Sequence, residues 1–350
     1  MSKRIAIIPG DGIGIDVTAE VVKVLQKLRG SRGLLLELAT FDWGAEKYLR
    51  EGISLPEGAI EMLRREFDAI FIGAVGDPRI PSLRYAVDIL LGIRFGLDLY
   101  VNQRPVKLLS RKLCPLKDRI ERDINFVIVR ENTEGLYAGM GGNFKRDTPE
   151  EVAVQEDVNT RKGVERILVY AFEYARRRGL AKVCMSDKSN AMPQGHGLWQ
   201  RAFADVRKRY PDIEARHLYV DTLAMEMVKN PAQFQVIVTC NLFGDILSDL
   251  AAQLQGGLGL APSANIHPGA VSMFEPVHGS APDLAGKNLA NPLAALLTVG
   301  MMLDYLDFSE AASEIESAVS QAVDEDKTTP DLGGSLGTRE VGDWICARLE

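Results

Sequence analysis

Cysteine is scarce: Cys114, Cys184, Cys240 and Cys346 are the only four among 350 residues, far apart and without a C-x-x-C pair. That excludes a disulfide framework and reads as the reduced thiols of a cytoplasmic protein. Histidine is equally rare, and none of His196, His217, His267 and His278 is paired at metal-ligand spacing. No run of 18 apolar residues occurs, so no stretch reads as a membrane span. Basic blocks are missing too. The longest is Arg176-Arg177-Arg178, and 41 basic against 48 acidic residues leave a net charge of −7, which argues against a nucleic-acid partner. Met1-Ser2-Lys3-Arg4 runs straight into a strand pattern, without the apolar stretch and small-residue cleavage site of a signal peptide.

What is present suits a soluble α/β protein. A hydrophobic share of 46% permits a large core, and the length predicts two lobes. Ile5 to Ile8 is a short apolar run closed by Pro9-Gly10, and Val17, Val21, Val24, Leu25 and Leu28 then recur at helical spacing. Leu34 to Ala39 and Asp68 to Ile72 read as further strands, with helices around Ala45 to Leu49 and Pro56 to Arg65. Such alternation implies parallel strands with helices on both faces. Gly10-Asp11-Gly12-Ile13-Gly14 lacks the G-x-G-x-x-G spacing of a Rossmann loop and reads as a tight turn. The Gly/Pro-rich segment from Phe274 to Asp283 reads as an irregular binding loop.

The residues suited to chemistry sit at element ends. A helix starting near Gly244 sets Asp245 and Asp249 at i and i+4, so both carboxylates share a face. Like charges there cost about 0.2–0.5 kcal/mol, while Ile246, Leu247 and Leu250 are expected to bury the helix. Oxygen pairs of this kind suit Mg²⁺ or Mn²⁺. Arg94, Arg104 and Arg130 lie at helix or strand ends and form a candidate carboxylate clamp. Tyr137 follows on the loop beside Arg130, Lys188 on the loop after strand Lys182 to Met185, and Asp221 at the end of strand Ala215 to Val220.

Taken in order, these motifs resemble the isocitrate and isopropylmalate dehydrogenase family, the β-decarboxylating dehydrogenases of 2-hydroxy acids. The resemblance covers nearly the whole chain: Pro9 to Gly14, Arg94, Arg104-Pro105, Val129 to Tyr137, Lys188 to Asn190, Asp221, Asn241 to Asp249, Phe274 to Gly286, Asn291-Pro292 and Thr329 to Gly334. It implies a two-lobed fold with an open mixed sheet, not a Rossmann fold. A larger cofactor-binding lobe would comprise 1–102 and 256–350, and a central substrate, metal and dimerisation lobe 103–255. It also implies a homodimer with shared sites. Asp245 and Asp249 of one subunit and Asp221 of the other would hold Mg²⁺ or Mn²⁺, with Lys188 as base and Tyr137 as proton donor. Arg94, Arg104 and Arg130 would bind the departing carboxylate, with Asn190 also on the substrate.

The resemblance places the cofactor's adenosine half on His278, Gly279, Ser280, Ala281, Asp283 and Asn291. Asp283 stands where NAD-using members hold the ribose hydroxyls, and a carboxylate there repels a 2′-phosphate, so NAD is expected. Isocitrate dehydrogenases carry a serine six residues before the first clamp arginine; Asp88 here disfavours a third substrate carboxylate. Leu90 and Leu91 resemble the apolar pocket of 3-isopropylmalate dehydrogenases, the best single expectation, although those enzymes usually have glutamate at Val87 and Gly92 also departs. Val129 to Gly142 and Lys188-Ser189-Asn190 look closer to D-malate and tartrate dehydrogenases. Homoisocitrate and isocitrate are the further alternatives. A non-catalytic subunit of this fold would lack part of the set Lys188, Tyr137, Asp221, Asp245 and Asp249, all present here.

Overall fold

The computed structural model describes residues 2–82 and 84–349. The chain forms two compact units, one of Met1–Leu99, Lys107–Glu121 and Ala252–Glu350, the other of Tyr100–Val106 and Arg122–Ala251. The excursion Lys107–Glu121 thus belongs to the first unit, outside the expected central lobe.

The first unit opens with β1 (Lys3–Gly10), α1 (Ile13–Ser31), β2 (Leu36–Thr40), α2 (Ala45–Glu51), α3 (Ala59–Glu66), β3 (Ala69–Ala74) and α4 (Arg84–Gly96). The second carries β4 (Val101–Lys107), β5 (Asn125–Glu131), the hairpin β6 (Gly141–Phe144) and β7 (Val152–Gln155), and α5 (Arg161–Arg177). It continues with β8 (Lys182–Asp187), α6 (Gly195–Val206), β9 (Glu214–Tyr219), α7 (Val220–Lys229), β10 (Val236–Thr239) and α8 (Asn241–Leu254). The first unit resumes with β11 (Pro262–Ile266), β12 (Ser272–Pro276), α9 (Leu293–Tyr305), α10 (Ser309–Asp324) and α11 (Thr338–Cys346).

Strand order in the first unit is β2-β1-β3-β12-β11, parallel except for the β11–β12 pair. In the second it is β4-β5-β10-β8-β9, with β5, β10, β8 and β9 parallel. Strands buried on both faces cannot alternate in polarity, which is why Ile5, Ile7 and Ile8 or Val236, Ile237 and Val238 are apolar without interruption. Full burial of each such side chain stabilises by about 1.5–3 kcal/mol.

Four expectations are corrected. Phe274-Glu275-Pro276 is strand rather than irregular loop, because β11 supplies an antiparallel partner. Pro56 precedes α3, which starts only after Gly58 takes a left-handed turn (φ 76°). The helix carrying Asp245 begins at Asn241 rather than near Gly244. On it Leu247 is buried, but Ile246 is 60% exposed. Among the described residues no helix is long and apolar enough to cross a membrane.

Candidate active site

In the second unit the parallel strands deliver polar residues at their C-terminal ends. Thr239 of β10 pairs with Arg130, so Arg130 lies inside β5 rather than beyond it. Its aliphatic stem runs along α8 beside Gly244, where an added Cβ would meet Arg130 Cγ at 2.5 Å. Glycine at 244 lets this helix and this arginine pack together. Asn241, Asp245 and Ser248 follow one another at helical spacing. Arg130 donates to Asn241 Oδ1 through Nε at 2.9 Å and Nη2 at 2.6 Å, and through Nη1 to Asp245. Tyr137 donates its hydroxyl to the other Asp245 oxygen at 2.7 Å, and its ring centroid lies 5.2 Å from the guanidinium carbon. Arg104 donates to Ser248 Oγ at 2.5 Å and approaches Asp245 at 3.5 Å and Asp249 at 3.6 Å. Sequence reasoning did not single out Asn241 or Ser248; the signal was their place on the polar stripe that carries Asp245.

These contacts set the protonation states. Burial, then the hydrogen bond to Asp245, pushes the Tyr137 phenol up, so it keeps its proton and can donate it. Burial raises Asp249, Arg104 opposes it, and Asp245 adds to the rise. Asp249 is the freer carboxylate, its side chain 60% exposed. A divalent cation would relieve the mutual repulsion of Asp245 and Asp249, and two carboxylates completed by water and substrate oxygens suit a hard ion. Among the described residues no group of three or more acidic, His or Cys side chains converges, so Asp221 does not join this pair within one chain.

Lys188 follows β8 and its ammonium donates to Asp221 Oδ1 at 2.8 Å, a bond that holds the Asp221 carboxyl below the usual range. Buried Asp187 braces the same loop: it accepts the Ser189 N–H at 3.0 Å and contacts His217 Nε2 at 3.0 Å and Gln200 Nε2 at 2.7 Å. Asn190 is exposed.

In the first unit, Leu90 and Leu91 are half-buried on α4, with Val87 exposed one turn earlier. Arg94, from the same helix, is buried and donates to Glu275 at 2.8 Å; Asn265 Nδ2 donates to the same carboxylate oxygen. Glu275 was not foreseen, although an acid inside the apolar run of β12 was the signal. Around Gly10 to Gly14, Asp11 accepts from Ala45 N, Gly76 N and the Tyr85 hydroxyl at 2.6, 2.9 and 2.7 Å. Ile13 N donates to Ser280 O at 2.7 Å, which joins the turn to the His278 to Asp283 segment. A cleft of about 450 Å³ is lined by Gly12, Asp16, Gly76, Pro282 and Gly286 among others. His278 Nδ1 lies 3.0 Å from Gly279 O, Ala281 is left-handed (φ 35°), and Asp283 is exposed. Asn291 is engaged locally: Oδ1 accepts from Leu293 N at 3.0 Å and Nδ2 donates to Asp331 at 2.9 Å. All four cysteines are unpaired, and burial pushes the Cys240 thiol up to about 12, which leaves it inert.

The family model "Isocitrate/isopropylmalate dehydrogenase" matches residues 4–345. The chain belongs to that family. Within it, the 3-isopropylmalate dehydrogenase of Thermobifida fusca is 44% identical over 99% of this chain and 97% of its own length. That of Corynebacterium kroppenstedtii is 45% identical over 99% of each. The crystal structure of isocitrate dehydrogenase from Methylococcus capsulatus superposes with a TM-score of 0.88 at 38% identity, covering 100% of this chain and 99% of that one. Membership makes the protein a decarboxylating dehydrogenase that works with a nucleotide cofactor and a divalent metal.

Proposed function

We propose that the chain catalyses NAD-dependent oxidative decarboxylation of a malate-type 2-hydroxy dicarboxylic acid, with 3-isopropylmalate as substrate. The observation that carries this reading is the Asp245 cluster: a phenol, two guanidiniums and a second carboxylate converge on one acidic side chain. The relatives named for 3-isopropylmalate support the choice of substrate.

Lys188 takes the proton of the 2-hydroxyl on its side-chain nitrogen as an amine and becomes the ammonium, with Asp221, 2.8 Å from that nitrogen, holding it in place and sharing the proton path. Arg94, Arg104 and Arg130 bind and orient the carboxylate that departs as CO₂. Tyr137 then hands its phenolic proton to the carbon that carried that carboxylate. Asp245 and Asp249 would hold Mg²⁺ or Mn²⁺, which would supply Lewis-acid stabilisation of the developing negative charge, and NAD held by the His278 to Asn291 segment would supply the hydride acceptor for C2. The exposed carboxylate of Asp283 favours NAD over NADP.

The working form in this reading is a cytoplasmic homodimer in which Asp221 and Lys188 complete the partner's site. Exposed apolar side chains support it: Met225 and Val228 on α7 and Ile246 on α8, at 63, 43 and 60% exposure. A second reading, D-malate or tartrate, is favoured by Val87, an exposed apolar residue beside Leu90 and Leu91 where 3-isopropylmalate dehydrogenases usually have glutamate.

The test is NAD reduction with Mn²⁺ over 3-isopropylmalate, D-malate, the tartrates, isocitrate and homoisocitrate. A lead in kcat/KM of tenfold or more for 3-isopropylmalate, on the order of what burying an isopropyl group brings, is the expected result. A lead for D-malate or a tartrate transfers the assignment to the second reading. No turnover with any of them overturns both.

A further inference from the structure

His196 is 1% exposed and sits in the first turn of α6, its ring edge-on to Phe243 at 5.2 Å. Its Nδ1 lies 2.8 Å from the backbone nitrogen of Lys188. A backbone N–H can only donate, so Nδ1 is the acceptor and carries no proton. The ring proton of the neutral imidazole therefore sits on Nε2, which points at Asp157 Oδ2 3.5 Å away. Asp157 is braced in turn: Asn159 Nδ2 donates to it at 2.6 Å, and Trp199 Nε1 donates to Asn159 Oδ1 at 2.7 Å. Its neighbour Val158 forms a two-way bridge with Gly135, two residues before Tyr137.

The backbone of Lys188 is thus joined through His196 and Asp157 to the segment that carries Tyr137. Nothing else in the chemistry derived above uses this buried imidazole. We propose that His196 is a positioning residue that fixes the Lys188 backbone and, through Asp157, ties the base that serves the partner's site to the framework of its own subunit. The inference rests on the reading of Lys188 as the base. A lysine aims its amine through a flexible stem, so an unanchored Cα would spread Nζ over positions out of line with a substrate hydroxyl. Placement errors of about 1 Å can cost up to about a hundredfold in rate while binding is little changed.

The two amide substitutions separate anchoring from packing, since Asn places its oxygen near the position of Nδ1 and Gln places its amide near that of Nε2. In the full-length enzyme with NAD, Mn²⁺ and 3-isopropylmalate, or D-malate if that leads the panel, His196→Asn is expected to keep kcat within about threefold. His196→Gln should lower kcat about tenfold or more, with the hydroxy-acid KM within about twofold and a thermal midpoint near that of the parent. Wild-type kcat in His196→Gln, or equal losses in both variants, would overturn the proposal. If His196→Gln does not fold, Asp157→Ala takes its place: a severalfold fall in kcat at constant KM supports the anchor, and unchanged kcat sinks it. Lys188→Ala is the control. Full activity there would remove the base assignment and this inference with it, whereas an inactive Lys188→Ala beside a fully active His196→Gln would remove the inference alone.

Discussion

The strand ends of the two units carry opposite kinds of chemistry. In the first unit β1 ends at Pro9-Gly10 and β3 at Gly73-Ala74, so small residues let backbone pack directly on backbone, and Asp11 N donates to Ala74 O at 2.7 Å. Gly10 and Gly12 both have left-handed φ, 73° and 55°, and an added Cβ would sit 1.9 Å from Ala74 O and 2.1 Å from Ser280 O respectively. In the second unit β5 ends in Arg130-Glu131, β8 leads into Lys188, and β9 leads into Asp221. A bare backbone suits a phosphate-bearing cofactor, and ionisable side chains suit a reacting acid. One kind of parallel-strand scaffold serves both needs because its strand ends are free to differ.

Breaking the charged ends should have the largest effect. Lys188→Ala is expected to lower kcat by about 10²–10⁴ while leaving the thermal midpoint and NAD binding in place, as read by steady-state kinetics and calorimetry. Chelation of the divalent ion should stop turnover reversibly, with recovery on adding Mn²⁺; full activity after exhaustive chelation would remove Asp245 and Asp249 from the role of ligands. Breaking the bare ends should act on the cofactor instead. Gly12→Val is expected to raise the NAD KM by about tenfold or more, since both its φ and the Ser280 carbonyl oppose a side chain; an unchanged KM would place the cofactor elsewhere.

Two milder changes sharpen the contrast. Asp283→Lys should shift the ratio of NAD to NADP kcat/KM by about tenfold towards NADP, the effect of exchanging repulsion of a 2′-phosphate for attraction. Glu275→Gln removes the charge that holds Arg94 and should raise the hydroxy-acid KM by about threefold with a smaller change in kcat. An equal fall in kcat would mean that Arg94 acts mainly in the transition state.

Much of this was legible before folding was considered. Apolar runs closed by glycine marked β1 and β3, and along α5 Val164, Ile167, Leu168, Ala171, Phe172 and Ala175 recur at helical spacing, all six buried. The strand nature of Phe274-Glu275-Pro276 was hidden, because local composition argued for a loop and only its distant partner β11 completes the ladder. Ile246 was misjudged because periodicity shows which residues share a helix face, not which of them a neighbour covers.

The sequence by itself determined the kinds of residue available and their spacing: i, i+4 aspartates, arginines beside strands, a lysine and a tyrosine on loops. Spacing along a helix or strand is rigid, so those relations survive any packing. Only the tertiary structure decided that Arg130 and Tyr137 share Asp245, that Glu275 holds Arg94, and that His196 anchors Lys188. Each of these contacts joins different elements of the fold, and no local periodicity encodes a partner that arrives through the packing of strands and helices.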